Sequence, residues 1–160
     1  MRFIGSAFVA SAIVLGACSG GEKAPATEEA APAAAPAVAV TGTAAPITGT
    51  THEVKMYGDD KGYRFEPKDL TIKAGDGIKF VFINGGPHNV AFNPADIPAD
   101  VKPQLDANFG ADKMAELSSR MLMLPDESVT ISFANIKPGT YPFNCTPHLA
   151  MNMKGTVTVQ

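Results

Sequence analysis

The chain has 160 residues, 45% of them hydrophobic, with a net charge of −3, two cysteines, three histidines and no tryptophan. That length holds one ordinary domain of about 100–150 residues. The mild negative charge excludes a strong electrostatic attraction to nucleic acid.

The N-terminus reads as a targeting segment over residues 1–17. Arg2 precedes an apolar run from Phe3 to Leu15, too short to span a bilayer securely. Leu15-Gly16-Ala17-Cys18 then resembles the lipobox of bacterial lipoproteins. The expectation is cleavage before Cys18, a lipid on that cysteine, and residence in the cell envelope or periplasmic space as a membrane-anchored lipoprotein. Cys145 is then left without a disulfide partner in an oxidising compartment, where a spare thiol is a liability unless a metal occupies it.

Residues 18–52 follow as an Ala/Pro/Thr-rich stretch with few bulky apolar side chains. It cannot bury enough surface to offset the entropy of ordering and is expected to act as a disordered tether. As a flexible chain it would span roughly 35 Å, and as a stiff proline-rich one up to about 100 Å. His52, at its end, is expected to be solvated.

From residue 53 to 160 the pattern is that of strands. Val54–Tyr57 and Leu70–Lys73 are short runs; Ile78, Phe80 and Phe82 alternate with Lys79 and Val81. Val129, Ile131 and Phe133 alternate likewise, as do Val157 and Val159. Turn signals at Gly58-Asp59-Asp60, Ala74–Gly77, Pro125-Asp126 and Lys137-Pro138-Gly139 separate them. The pattern predicts an all-β, antiparallel Greek-key β-sandwich. Asn93–Arg120 lacks the alternation, and a short helical insert is predicted over Asp112–Arg120.

Two motifs carry chemistry. Gly85-Gly86-Pro87-His88-Asn89-Val90 follows an apolar strand, and Cys145-Thr-Pro-His148-Leu-Ala-Met-Asn-Met153 sits near the C-terminus. Alternation points Tyr141, Phe143 and Cys145 one way, and His88, Val90 and Phe92 one way on their own strand. If those strands are neighbours, Cys145 and His88 meet at one end, and the loop after Cys145 brings in His148 and Met153. Two imidazoles, a thiolate and a weak axial thioether form the ligand set of a blue-copper centre. The predicted ligands are His88, Cys145, His148 and Met153, holding one copper ion that cycles Cu(II)/Cu(I). Zinc could use the same donors, but Cu(II) binds more tightly in the Irving–Williams order.

The Cys-x2-His-x4-Met loop with its upstream Pro-His-Asn-Val resembles plastocyanin and related bacterial proteins of the cupredoxin family, over about residues 53–160. Pseudoazurins share this loop spacing and a second methionine. The resemblance implies a cupredoxin-like fold and the axial role for Met153, with Met151 a packing residue above the site. It also implies that the Asn89 side chain ties the two ligand loops together while its backbone N–H donates to the cysteine sulfur.

The function expected is one-electron transfer by a non-enzymatic carrier. Its partners would be redox protein donors and acceptors such as cytochromes or membrane complexes; nucleic acid is not expected, and the chain is expected to be a monomer. Pro87, Pro147, Leu149 and Ala150 would form an apolar collar around His148, the expected electron exit. A copper-storage or delivery protein is the alternative. An oxidase or nitrite reductase would need further histidines, and only His52 is left over. Met121 and Met123 are expected to be filler on a strand.

Overall fold

The computed structural model describes residues 43–160. The expected signal segment, Cys18 and the first part of the expected tether lie outside the described residues.

Among the described residues there are ten strands and one α-helix. They are β1 (Thr51–Asp59), β2 (Gly62–Glu66), β3 (Asp69–Ile72), β4 (Gly77–Phe82), β5 (Ala91–Phe92), α1 (Lys102–Ala107), β6 (Lys113–Ala115), β7 (Ser118–Ser119), β8 (Ser128–Ser132), β9 (Gly139–Asn144) and β10 (Lys154–Val159). Four strands form one sheet in the order β2-β1-β4-β8, and six form the other in the order β3-β10-β9-β5-β7-β6. The β-sandwich is therefore present, with one amendment to its strand directions. β1 runs parallel to β4 and β3 parallel to β10, so both sheets contain a parallel pair. The chain reaches these pairings by crossing between sheets, from β2 to β3 and back to β4. The remaining strand pairs are antiparallel.

Period-two alternation fills the space between the sheets. Val54, Met56, Ile78, Phe80, Val129 and Ile131 face inward from one sheet; Ile72, Tyr141, Phe143, Val157 and Val159 face inward from the other. Phe65, Phe80 and Phe143 meet edge to face, with ring centroids 4.8–6.1 Å apart, a preferred geometry for aromatic quadrupoles. Each such ring contributes about 1.5–3 kcal/mol by leaving water, and Phe143→Ala would cost about 3–5 kcal/mol.

The predicted helix is misplaced. Helix α1 lies earlier, where Pro103 suits the first turn and Leu105 is fully buried. Asp112–Arg120 instead forms the β6–β7 hairpin with Leu117 buried at its turn, at φ 52°. Long-range partners decide this: Asp106 accepts a hydrogen bond from the Leu117 N–H at 2.7 Å and pairs with Lys113, while Arg120 pairs with Asp112 at 3.0 Å.

The boundary expected after His52 also moves. Ala45 is buried and its N–H donates to Asn108 Oδ1 at 2.9 Å; the Asn108 amide in turn donates to the carbonyls of Ser132 and Ala134. Thr48 and Gly49 both donate to the Gly75 carbonyl. The buried Asp76 carboxylate accepts from the Thr50 and Lys73 N–H groups and from the His52 ring at 2.9 Å. His52 is thus a half-buried member of β1 rather than a solvated residue in a tether. These contacts hold the Asp76 pKa at about 2, through the backbone N–H bonds and the His52 contact.

Candidate metal centre

The centre lies where β9 ends. β9 pairs with β5 in antiparallel register, Ala91 opposite Asn144 and Phe92 opposite Phe143. The adjacency on which the convergence depended is therefore present, and Cys145 and His88 emerge side by side, both fully buried.

His88 is positioned from three sides. Its backbone exchanges two hydrogen bonds with Leu122, its ring meets the edge of Phe82 at 5.1 Å, and its Nε2 lies 2.9 Å from the Asn84 carbonyl. A carbonyl oxygen can only accept, so Nε2 carries the ring proton and the Nδ1 lone pair is free for a metal. The Asn84 turn is fixed by its side chain, which accepts from the Gly58 N–H at 3.0 Å. Gly85 lies so close to Gly58, at φ 72°, that a Cβ there would fall 2.2 Å from the Gly58 Cα. Only glycine fits that approach.

After Cys145 the chain winds through a 3₁₀ turn, Thr146–Met151, with Pro147 in its first turn. Asn152 ends it in the left-handed conformation, and the Cys145 N–H then donates to the Met153 carbonyl at 3.1 Å. This return bond brings Met153 back beside Cys145. Met153 is fully buried, whereas Met151 is 47% exposed.

The convergence is tight. Cys145 Sγ lies 3.6 Å from His88 Nδ1 and 3.4 Å from His148 Nδ1, and the two Nδ1 atoms are 3.2 Å apart. An ion roughly 2.0–2.3 Å from each donor, the usual range for nitrogen and sulfur ligands, fits among them. Three buried groups presenting lone pairs to one point form a metal cradle rather than a hydrogen-bonded core cluster.

Burial holds both imidazoles below the usual histidine pKa, and the neighbouring His148 lowers His88 further. Burial pushes the Cys145 thiol up, opposed by backbone N–H groups of Asn89 and His148 directed at the sulfur. Neutral imidazoles are ready to ligate; the thiol must lose its proton as a metal enters.

Asn89 joins the loops as expected. Its Oδ1 accepts from the Thr146 N–H at 2.7 Å, and its amide donates to Thr146 Oγ1 and Ser118 Oγ at 3.2 and 3.1 Å. The collar residues Pro87, Pro147, Leu149 and Ala150 are all exposed. His148 itself is only 5% exposed.

Sequence reasoning missed Tyr63. Its ring stacks on His148, with centroids 3.8 Å apart and planes 16° from parallel, and it meets His88 edge-on at 6.2 Å. The alternation of Tyr63 and Phe65 could have marked Gly62–Glu66 as a strand, but nothing local to it indicates His148. The Asn84 carbonyl, being backbone, carries no side-chain signal at all.

The comparisons with known proteins agree with this geometry. Residues 52–160 match the model of copper binding proteins of the plastocyanin/azurin family. A chloroplastic plastocyanin of Physcomitrium patens is 43% identical over 66% of this chain, a match spanning 56% of that protein's length. Plastocyanin of Nostoc punctiforme is 43% identical over 69% of this chain and 74% of its own length. A solved structure of a mutant fern plastocyanin, 35% identical, covers 68% of this chain and 99% of its own with a TM-score of 0.51. The donor set at the end of β9, the sandwich that holds it and these sequence matches lead to one assignment: the chain belongs to the copper-binding plastocyanin/azurin family.

Proposed function

We propose that the protein is a one-electron carrier working between redox proteins of the cell envelope, with His88, Cys145, His148 and Met153 as its copper ligands. The observation that carries this reading is the convergence of three buried donors within 4.8 Å of one another, on a frame whose ring orientations are already fixed. Bound copper supplies a reversible Cu(II)/Cu(I) couple.

The protein's own residues account for the rest. The Asn84 carbonyl keeps the proton on the far nitrogen of His88, and the Tyr63 ring keeps His148 from turning. The Asn89 and His148 N–H groups stabilise negative charge on the Cys145 sulfur. Such outer contacts let the donors keep their places through a change of oxidation state. Burial of Met153 against exposure of Met151 favours Met153 as the axial donor. The exposed collar of Pro87, Pro147, Leu149 and Ala150 suits brief docking beside His148, with redox proteins such as cytochromes as partners. The Cys18 motif supports lipid anchoring, which would keep the carrier near membrane-associated partners as a monomer on a leash.

The decisive experiment is the absorption spectrum of the oxidised protein. An intense visible band from a Cu(II)–thiolate bond is expected in the wild type and should vanish in Cys145→Ser. A colourless copper-loaded wild type, or a blue Cys145→Ser variant, overturns the ligand assignment. Rapid copper loss to a competing chelator together with slow electron exchange would point to storage instead.

A further inference from the structure

Among the described residues, the exposed large hydrophobic side chains are Met114, Met121, Met123, Leu124, Leu149 and Met151. Four of the six are methionines. An apolar docking patch needs only hydrocarbon, which leucine supplies equally well. A thioether adds a soft, neutral donor with a preference for Cu(I).

Two of these methionines, Met121 and Met123, are two residues apart beside the His88 segment. The His88 N–H donates to the Leu122 carbonyl at 3.0 Å, and the Leu122 N–H donates back to the His88 carbonyl at 2.7 Å. The segment around Leu122 therefore lies antiparallel beside the ligand strand. Leu122 is fully buried, so alternation turns Met121 and Met123 outward together, 37% and 62% exposed. Residues two apart on an extended chain are about 6.5–7 Å apart, within the joint reach of two unbranched three-rotor side chains. The backbone beneath them is pinned: Glu127 Oε2 accepts from the Met123 and Leu124 N–H groups, and Arg120 holds Glu127 Oε1 at 3.3 Å. The pair thus sits on a backbone held by Glu127. Met114, though 70% exposed, has no methionine two residues away on β6.

We infer that Met121 and Met123 form a capture site for monovalent copper on the outside of the fold, from which Cu(I) passes to the buried centre. The ion stays Cu(I) throughout. Two neutral thioethers release it, the His88 and His148 nitrogens and Cys145 sulfur take it up, and the Cys145 thiol proton leaves to water as the thiolate–copper bond forms. No electron is exchanged, and no further reactant is needed. The inference goes beyond electron carriage, because it concerns how the centre is filled.

The test uses the full chain in two states. With the centre already holding copper, Ag(I), a redox-inert analogue of Cu(I), is titrated while the methionine methyl resonances are followed by NMR. Met121 and Met123 should shift together with one equivalent, and Met114 should not. With the centre empty, loading from a Cu(I)–glutathione complex should be at least about tenfold slower in Met121→Leu/Met123→Leu than in wild type. Leucine keeps the surface apolar, so loss of docking area would not explain the delay. The loaded double variant should match wild type in spectrum and potential, which separates this test from that of the centre itself. Met114→Leu should load normally, and Met123→Leu alone should show the defect if the double variant folds poorly. No joint shift of Met121 and Met123, or loading of the leucine variants at the wild-type rate, overturns the proposal.

Discussion

Tyr63 lies flat on His148, the two rings 3.8 Å apart and 16° from parallel. One face of the imidazole is thereby closed to water, and the ring cannot turn about its Cβ without displacing the phenol. Tyr63→Leu keeps apolar cover but removes the stacking. It should cost about 0.5–1.5 kcal/mol of stability, measured by urea unfolding of the metal-free protein. Tyr63→Ala also opens the site to solvent. Because burial is what lowers the His148 pKa, that pKa should move up towards about 6.5 in an NMR titration of the metal-free variant. An unmoved value would mean that Tyr63 does not provide the cover.

Asn89 offers a second test of the frame. Asn89→Ala removes one acceptor and two donated bonds joining the ligand loops through Thr146 and reaching Ser118. It also leaves the Thr146 N–H without its partner. The expected loss is about 1–3 kcal/mol, read as a fall in the unfolding midpoint at unchanged slope. Copper retention should weaken as well, because the two loops then move independently. A change under about 0.5 kcal/mol would show that the loops do not depend on this side chain.

The pH dependence of the metal-free protein follows from the direction of each shift. His88 and His148 have folded-state pKa values below their unfolded values, so the unfolded chain binds protons first as pH falls. Stability is then full above about pH 6.5 and declines as pH drops through that value. Cys145 works in the opposite sense: its raised thiol pKa makes the folded state hold its proton longer, so stability falls as pH rises past about 9. Asp76, lowered to about 2, gives a further loss as pH falls from 3.8 towards 2. Thermal unfolding between pH 2 and 10 should therefore show a maximum near neutrality. Asp76→Asn should remove the acid limb near pH 3 and leave the histidine limb in place.

Met153 and Met151 can be separated by potential. Met153→Gln should lower the reduction potential with copper still bound, because a thioether favours Cu(I) more than an amide oxygen does. The same change at Met151, 47% exposed, should have little effect. Voltammetry giving the reverse order would transfer the axial role to Met151.

The convergence of His88, Cys145 and His148 was legible in the sequence because its cause is local. Cys145 and His148 are fixed by spacing within one loop, and His88 by alternation along its own strand, whose pairing with β9 only the structure supplies. Features set by distant partners were not legible. The parallel pairing of β1 with β4 joins Thr51 to Gly77 across an intervening crossover, and no periodicity records it. Helix α1 was missed because Lys102–Ala107 is only six residues long, too short for a helical stripe to show. The Asp112–Arg120 stretch was assigned a helix because it lacks strand alternation, yet Asp106 and Arg120 fold it into a hairpin. His52 was assigned to solvent because composition gives no hint of Asp76, 24 residues away.

The clasp of Thr48–His52 on Gly75 and Asp76 sits at the Gly77 end of β4, whereas Phe82, at the other end, touches His88. Six residues of strand, about 20 Å, separate the two. The handle of the molecule and its working edge are therefore opposite poles of one rigid strand. A fusion partner or an electrode surface joined directly at the Thr48–His52 clasp would grip the handle and leave the histidine pole at the far end. For a protein meant to be wired to a circuit, that clasp is the natural point of attachment.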